Sequence, residues 1–312
     1  MIPAVILTAG EGKRLGKISK KISKSLLPVG DSTLLSSHLN NFLKIGINEF
    51  IIVADPASQE IEKEAASVLK NHKASFRIVH QKKRLGIGHA ALLTQDYIGS
   101  REFILILGDT FYVPKDILSA VKEISSGAVD AILSVRKVSD EKEILKECTI
   151  DLDENNTVKK IIEKPKRVLS MMKPCGVYFF NHRFFEYLKK TSASSLRGEI
   201  ELTDAIDAFI QTGGKVVARN TLKSDININY LQDILTANLA WLKAKNIKSF
   251  SHPSAVIEEG VLLSNSVVCH NSHIGKYSKL NSVVVFPGSG IPDGANLENT
   301  IVLPDMEIPI KL

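Results

Sequence analysis

The sequence predicts an α/β protein: a doubly wound, mixed sheet followed by a short parallel β-helix. Two patterns carry that prediction. From the N-terminus to about residue 220, short apolar runs alternate with longer amphipathic ones, as strands do when helices cover both faces of their sheet. From Phe250 onward apolar residues recur every six positions, which suits one face of a coil per hexad.

The elements follow in order. Strands are expected at Ala4–Thr8, Phe50–Ala54, Phe76–His80, Phe103–Leu107 and Ala131–Val135. Helices are expected at Thr33–Ile45, Ser58–Asn71, Gly88–Tyr97 and Pro114–Ile124. Such a sheet binds its ligand at the carboxyl ends of the strands. Gly10, Gln81 and Asp109 each follow an expected strand end, so they should converge there. A helix over Asn229–Ala244 puts Leu231, Ile234, Leu235, Asn238 and Leu242 on one face, to pack on the first domain. Phe250, Val256, Leu262, Val268, Ile274, Leu280 and Phe286 then lie six apart; the phase slips by one at Pro287-Gly288 and resumes at Ile291, Leu297 and Leu303. Ordinary short strands joined by Asn/Ser/Gly turns are the alternative, but ten in-register apolar positions favour coils. The resulting domains are 1–229, a linking helix at 230–249, and repeats at 250–312.

Composition narrows the function. The chain of 312 residues is 44% hydrophobic and 24% charged, as globular domains are. No apolar run reaches the length of a membrane span, and no signal peptide precedes Ala4. Cys148, Cys175 and Cys269 show no CxxC spacing, which argues against a disulfide framework or zinc site and for a reducing cytoplasm. The net charge of +6 suits anionic substrates. Spread along the chain without a recognised motif or aromatic interleaving, it does not point to nucleic acid.

The most informative stretch is LTAGEGKRLG from Leu7, followed by KSLLPVG from Lys24. Gly10 and Gly12 let backbone N–H groups approach a ligand, and Arg14 and Lys24 supply fixed positive charges. Physically this is a phosphate cradle, basic enough for more than one phosphate. A plain tight turn with solvated basic residues is the other reading. GxGxxG fails at Leu15, and GxxxxGK[ST] has no match. No ribose-binding carboxylate follows Gly12 at the right distance, which disfavours a dinucleotide oxidoreductase.

The string L-x-A-G-x-G-x-R-L with K-x-L-L-P-V-G resembles the signature of sugar-1-phosphate nucleotidylyltransferases, the family of glucose-1-phosphate thymidylyltransferase and UDP-N-acetylglucosamine pyrophosphorylase. Ser23 stands where that family usually has the proline of P-K-S-L-L-P. The resemblance implies a Rossmann-like catalytic domain and a left-handed β-helix. It also implies transfer of a nucleoside monophosphate from UTP or dTTP to a sugar-1-phosphate, with release of pyrophosphate. Arg14 and Lys24 are then the catalytic residues, and Leu7, Ala9, Gly10, Gly12, Gln81, Gly86 and Gly108 hold the nucleotide.

Further motifs extend the resemblance. QKKRLGIGHA resembles the family's base-recognition stretch, with Ile87 in place of threonine and His89 opening a helix. The Gln81 amide offers a donor and an acceptor, which can match O4 and N3–H of uracil or thymine. By itself such a residue would simply be polar surface. The Gly108-Asp109 pair implies magnesium on Asp109, the other reading being a cap on the helix near Pro114. Counting back from Leu235-Thr236-Ala237-Asn238 places Asn227 at the second metal position. Asp225, on the same face of an extended segment, is the alternative, and the family's glycine–proline pair is missing there. Glu163-Lys164-Pro165, Cys175-Gly176-Val177-Tyr178 and Gly198–Asp204 imply that Glu163, Lys164, Gly176 and Glu199 recognise the sugar substrate, Glu163 through a pair of sugar hydroxyls and Lys164 through its phosphate. A surface turn and a helix cap are the plain readings of the first and last. Glu163 is expected to be buried. Cys148 replaces a glycine of the family, which would reshape the sugar pocket.

Two other functions fit the residues less well. A non-catalytic nucleotide-sugar-binding regulatory subunit would explain the missing aspartate and proline, but leaves Arg14, Lys24 and Asp109 without a purpose. A cytidylyltransferase acting on another phosphate is opposed by Gln81. The open ends of a short repeat array imply a homo-oligomer.

Overall fold

The computed structural model describes residues 2–193 and 198–311. Two compact units emerge, one of residues 1–10 and 38–225, the other of residues 11–37 and 226–312. The segment that carries Gly12, Arg14 and Lys24 thus clusters with the C-terminal part of the chain.

The first unit is built on a seven-stranded sheet, in spatial order Val216–Arg219, Ala131–Lys137, Met172–Phe180, Phe103–Leu107, Ala4–Leu7, Glu49–Ala54 and Ser75–His80. The last four run parallel. Met172–Phe180 is antiparallel to both its neighbours, which makes the sheet mixed. Val5, Ile6, Ile51–Ala54 and Phe103–Ile106 are buried, the near-continuous apolar run that a strand covered on both faces requires. The expected strands and the first two helices form within two residues of their predicted ends.

Two helices depart from expectation. The helix expected at Gly88–Tyr97 divides into Ile87–Leu92 and Gln95–Ile98. At the break, buried Thr94 turns its hydroxyl back on the Ala91 carbonyl at 2.7 Å, a bond that competes with the helical ladder. The helix expected from Pro114 begins at Ile117. Thr110–Pro114 is a strand instead, because Thr-Phe-Tyr-Val is β-branched and aromatic.

In the second unit, Pro28–Val29 and Ser32–Thr33 form a small hairpin beside the helix Leu231–Lys245. That helix does bury Ile234, Leu235, Asn238 and Leu242. The face expected to pack on the first domain lies, within this unit, against the hairpin and the repeat strands Lys279–Val285 and Asn296–Leu303. Buried Asn238 uses its whole amide: Oδ1 accepts from Gly30 N at 2.8 Å, and Nδ2 donates to the carbonyls of Pro28 and Ile234 at 3.1 and 2.9 Å. Gly30 adopts φ 66° and lies so close to Trp241 that a Cβ would sit 2.1 Å from the indole ring.

The repeats form parallel coils, but their period is 17 residues, not three hexads. Val268 pairs with Ser251 and with Val285, and Val285 with Val302. The interior is Val268, Ile274, Leu280, Val283, Val285, Ile291 and Val302, with Leu263 and Leu297 among the residues packed against them. Val256 and Leu262, expected inside, are 52% and 61% exposed. One side of each coil takes five residues, so the slip expected once at Pro287-Gly288 recurs in every coil. A one-residue slip exchanges the two faces of a strand. Phe286 and Leu303 are buried but follow the interior residue rather than being it. Buried small residues two positions earlier (Ser266, Ser272, Ser278, Ser289 and Thr300) mark the true frame. Met306–Pro309 closes the array by pairing antiparallel with Asn296–Leu303, which covers an otherwise open sheet edge.

Gly30→Ala is expected to destabilise the protein by about 2–4 kcal/mol, from overpacking and an unfavourable backbone conformation. Adding Trp241→Leu should recover part of that loss although it is itself a cavity-forming change. Urea unfolding of the two single variants and the double variant measures this; strict additivity would show that the contact is not the cause.

Candidate active site

The chain leaves Leu7 toward Glu49–Ala54 on one side, while Phe103–Leu107 lies on the other. This is the topological switch point where a doubly wound sheet opens a crevice. Gly108 N donates to the Leu7 carbonyl at 2.9 Å, and a Cβ on Gly108 would lie 2.5 Å from that oxygen. Only glycine fits. The two strand ends are therefore held together, with Ala9-Gly10 continuing from one and Asp109 from the other. A Cβ on Gly10 would meet nothing within 4 Å, so packing does not demand a glycine there and the space beside it is open. Asp109 is not a helix cap; Asp116 caps the helix Ile117–Ser125, accepting from Ser119 N at 3.3 Å.

Gln81 follows the strand Ser75–His80 and is buried. Its Nε2 donates to the Gly86 carbonyl and to His89 Nδ1, both at 3.1 Å. Burial pushes the His89 pKa down, and because the Gln81 amide nitrogen can only donate, Nδ1 is the accepting nitrogen of this contact. The amide hydrogens of Gln81 are thus spent inside the loop, and Oε1 is the atom it presents. Gly86 adopts φ 99°, where a Cβ would lie 2.7 Å from the Ile200 carbonyl and 2.9 Å from Glu199 Cβ. Ile200 N donates to Leu85 O at 2.7 Å and Gly88 N to Ile200 O at 2.8 Å. The strip Leu85–Gly88 is therefore zipped to Glu199–Ile200. Gln81, Gly86 and Glu199 thus lie along one strip.

Glu163 ends the strand Val158–Glu163 opposite Cys148. It is half-buried rather than buried, and Lys164 is exposed with φ 43°. Gly176 sits at φ 68° where the register of Met172–Phe180 shifts, and a Cβ there would approach Thr110 Oγ1 to 3.0 Å. The buried carboxylate of this region is Asp225. It pairs with Arg136 Nε and lies 2.7 Å from Lys173 Nζ. Lys173, itself buried, also reaches Glu147 at 3.1 Å. Two cations thus flank Asp225, whose Oδ2 lies within ion-pair distance of Lys173 but accepts no hydrogen bond. Burial, then the charge of Glu163, pushes the Cys148 thiol up, so it stays protonated and unreactive. Sequence reasoning missed Arg136 and Lys173, since no motif announces a buried pair whose partner is 89 residues away.

In the second unit, Gly12 begins the turn Lys13–Leu15 at φ 67°, and Lys24 begins the turn Lys24–Leu26. A Cβ on Gly12 would press on Lys24 Cγ at 3.0 Å and Cε at 3.3 Å. Gly12 thus makes room for the lysine stem. Lys24 is 9% exposed, and its Nζ donates to Asn229 Oδ1 at 3.1 Å. Arg14 is exposed, with its guanidinium 5.8 Å from the centre of the Tyr230 ring. It lines a cavity of about 580 Å³ with Leu15, Lys17, Leu231, Met306 and Ile308. Asn227 is half-buried at the end of the strand Leu222–Asn227.

Residues 3–254 match the family described as nucleotidyl transferase. The bifunctional protein GlmU of Methanococcus aeolicus is 27% identical over 96% of this chain and 77% of its own length. A glucose-1-phosphate thymidylyltransferase of Streptomyces griseus is 27% identical over 96% of this chain and 85% of its own. A solved UDP-glucose pyrophosphorylase in complex with UDP-glucose shares the fold, with a TM-score of 0.69 at 24% identity over 78% of this chain and 99% of its own.

Behind Asp109 lies His38, fully buried and stacked on Tyr112 with ring centres 5.2 Å apart. Burial, only partly opposed by the Asp109 charge, pushes the His38 pKa down from 6.5 to about 4. The unfolded chain binds this proton below its ordinary pKa, and the folded protein binds it only near 4. Stability is therefore complete above pH 6.5 and lost as pH falls toward 4, by about 3 kcal/mol from this group. His38→Phe should be spared that loss: its stability relative to the parent, from urea unfolding at pH 7 and 4.5, should rise by about 2–3 kcal/mol at the lower pH.

Proposed function

The chain belongs to the nucleotidyl transferase family, and we propose that it joins a sugar-1-phosphate to the nucleoside monophosphate of UTP or dTTP. An oxygen of the sugar phosphate attacks the α-phosphorus, and pyrophosphate leaves. Such a reaction asks the protein to hold two anions in line and to neutralise the charge that builds up. The observation that carries the reading is the Gln81 loop beside the switch point. With its Nε2 committed to Gly86 and His89, Gln81 presents an acceptor that suits the N3–H of uracil or thymine. Cytosine has no hydrogen at that nitrogen. The name of one relative, a glucose-1-phosphate thymidylyltransferase, supports the same substrate class.

Leu7, Ala9, Gly10, Gly12 and Gly108 supply backbone to the nucleotide, and Arg14 and Lys24 neutralise its phosphates. Lys164 takes the phosphate of the sugar-1-phosphate, and Glu163, Gly176 and Glu199 take its sugar. The zipper at Ile200 gives base and sugar recognition a common support.

Magnesium fits the donors present. Among the described residues no cluster of three or more His, Cys, Asp or Glu could hold a metal ion by itself. That matches an ion bound through one or two protein oxygens and completed by phosphates and water. Asp109 would offer a carboxylate and Asn227 an amide oxygen, and the bound ion would stabilise negative charge on the phosphates.

The cysteines are unpaired and buried, as a reducing cytoplasm would leave them. No helix among the described residues is long and apolar enough to cross a membrane. Contacts through the repeats would make a homo-oligomer.

Release of pyrophosphate, screened with four triphosphates against a panel of sugar-1-phosphates, tests the reading. UTP or dTTP should be preferred to CTP, and Gln81→Ala should narrow that preference. Lys24→Ala should lower turnover by about 100-fold or more with folding intact, and Asp109→Asn should abolish metal-dependent turnover. Equal use of CTP by the parent, or a fully active Lys24→Ala, would overturn the corresponding assignment.

A further inference from the structure

We infer that Asn229 is a positioning residue for Lys24, holding its ammonium group in the place where it serves the triphosphate. The inference rests on Lys24 being a phosphate contact. A lysine carries four rotatable bonds, and a free ammonium would sample many positions before meeting the charge that develops in the reaction. Here the stem is confined first. It runs along Gly12, where even a methyl group would press on Cγ and Cε. The head is then fixed by Asn229 Oδ1 at 3.1 Å.

Asn229 is itself rigid. Its backbone N–H donates to Asp233 Oδ2 at 2.8 Å, and the same oxygen accepts from Tyr230 N at 2.7 Å. Those bonds are the N-terminal cap of the helix Leu231–Lys245. The order at that helix end is thus passed through one side-chain amide to a lysine 205 residues away in sequence. An amide suits this role better than a carboxylate would. It accepts a hydrogen bond from the ammonium without cancelling the charge that the phosphates require.

The test uses the full chain in four forms: parent, Asn229→Ala, Lys24→Ala and both changes together. Asn229→Ala should lower kcat about tenfold, the size of a lost hydrogen bond to a charged group, with KM for the sugar-1-phosphate within about twofold of the parent. In the Lys24→Ala background the same change should cost nothing, because it acts only through the lysine. Asn229→Asp should keep the lysine in place but raise KM for the triphosphate, since the new carboxylate competes for the charge. A second measurement needs no turnover. Acylation of Lys24 by an amine reagent, followed by mass spectrometry, should speed up several-fold in Asn229→Ala, while exposed Lys63 and Lys122 react as before.

The outcomes separate the two ideas. If Lys24→Ala is fully active, the role of Lys24 fails, and acylation alone then shows whether Asn229 restrains it. If Lys24→Ala is impaired but Asn229→Ala is not, or the two losses add independently, the positioning role is overturned while the role of Lys24 stands. Unchanged acylation of Lys24 in Asn229→Ala overturns it as well.

Discussion

The site depends on how closely two parallel strands end beside each other. Ala4–Leu7 and Phe103–Leu107 run side by side, and the Gly108 amide bonds to the Leu7 carbonyl where a Cβ would come within 2.5 Å of it. Any side chain at 108 would part the strand ends, and the groups leaving them would lose their common origin. The rule continues one strand further. Met172–Phe180 joins the same sheet beside Phe103–Leu107 only because Gly176 absorbs its change of register next to Thr110. Glycine is a packing requirement at 108 and a conformational one at 176, where φ is 68°, whereas Gly10 has open space around it.

Order in the segment 11–37 has another source. Its own structure is limited to short turns and a two-residue hairpin. Asn238 adds a tertiary clamp, with every polar atom of its buried amide bonded and Trp241 packed over Gly30. A buried amide that is fully bonded specifies one arrangement, because any shift leaves a donor or acceptor unpaired. The same helix caps itself with Asp233 and so fixes Asn229. One helix therefore secures the basic segment at two points.

Buried charge shapes the remaining part. Asp225 between Arg136 and Lys173 is costly to desolvate and yields little net stability, but losing one member would strand the others. Its value is geometric. Lys173 also reaches Glu147, one residue before Cys148, so the cluster fixes the wall that Cys148 and Glu163 form. At the end of the strand Val158–Glu163, Glu163 is half-buried and Lys164 exposed.

What the sequence determined alone was local and periodic. Strand runs such as Phe103–Leu107 read clearly because burial on both faces demands unbroken apolar residues, and the motifs around Gly10, Gln81 and Asp109 read clearly because each lies within one short segment. The repeat read clearly as a repeat, but not its frame, since six and 17/3 differ too little to separate over a few turns of apolar residues. The buried row Ser266, Ser272, Ser278, Ser289 and Thr300 held the missing signal. Tertiary structure decided what depends on distant partners. Asp225 acquired Arg136 and Lys173, Asn238 became a clamp, and Lys24 acquired Asn229. No local pattern encodes such pairs, because a hydrogen bond or ion pair depends on where the fold brings two side chains, and that is fixed only once the chain between them has folded.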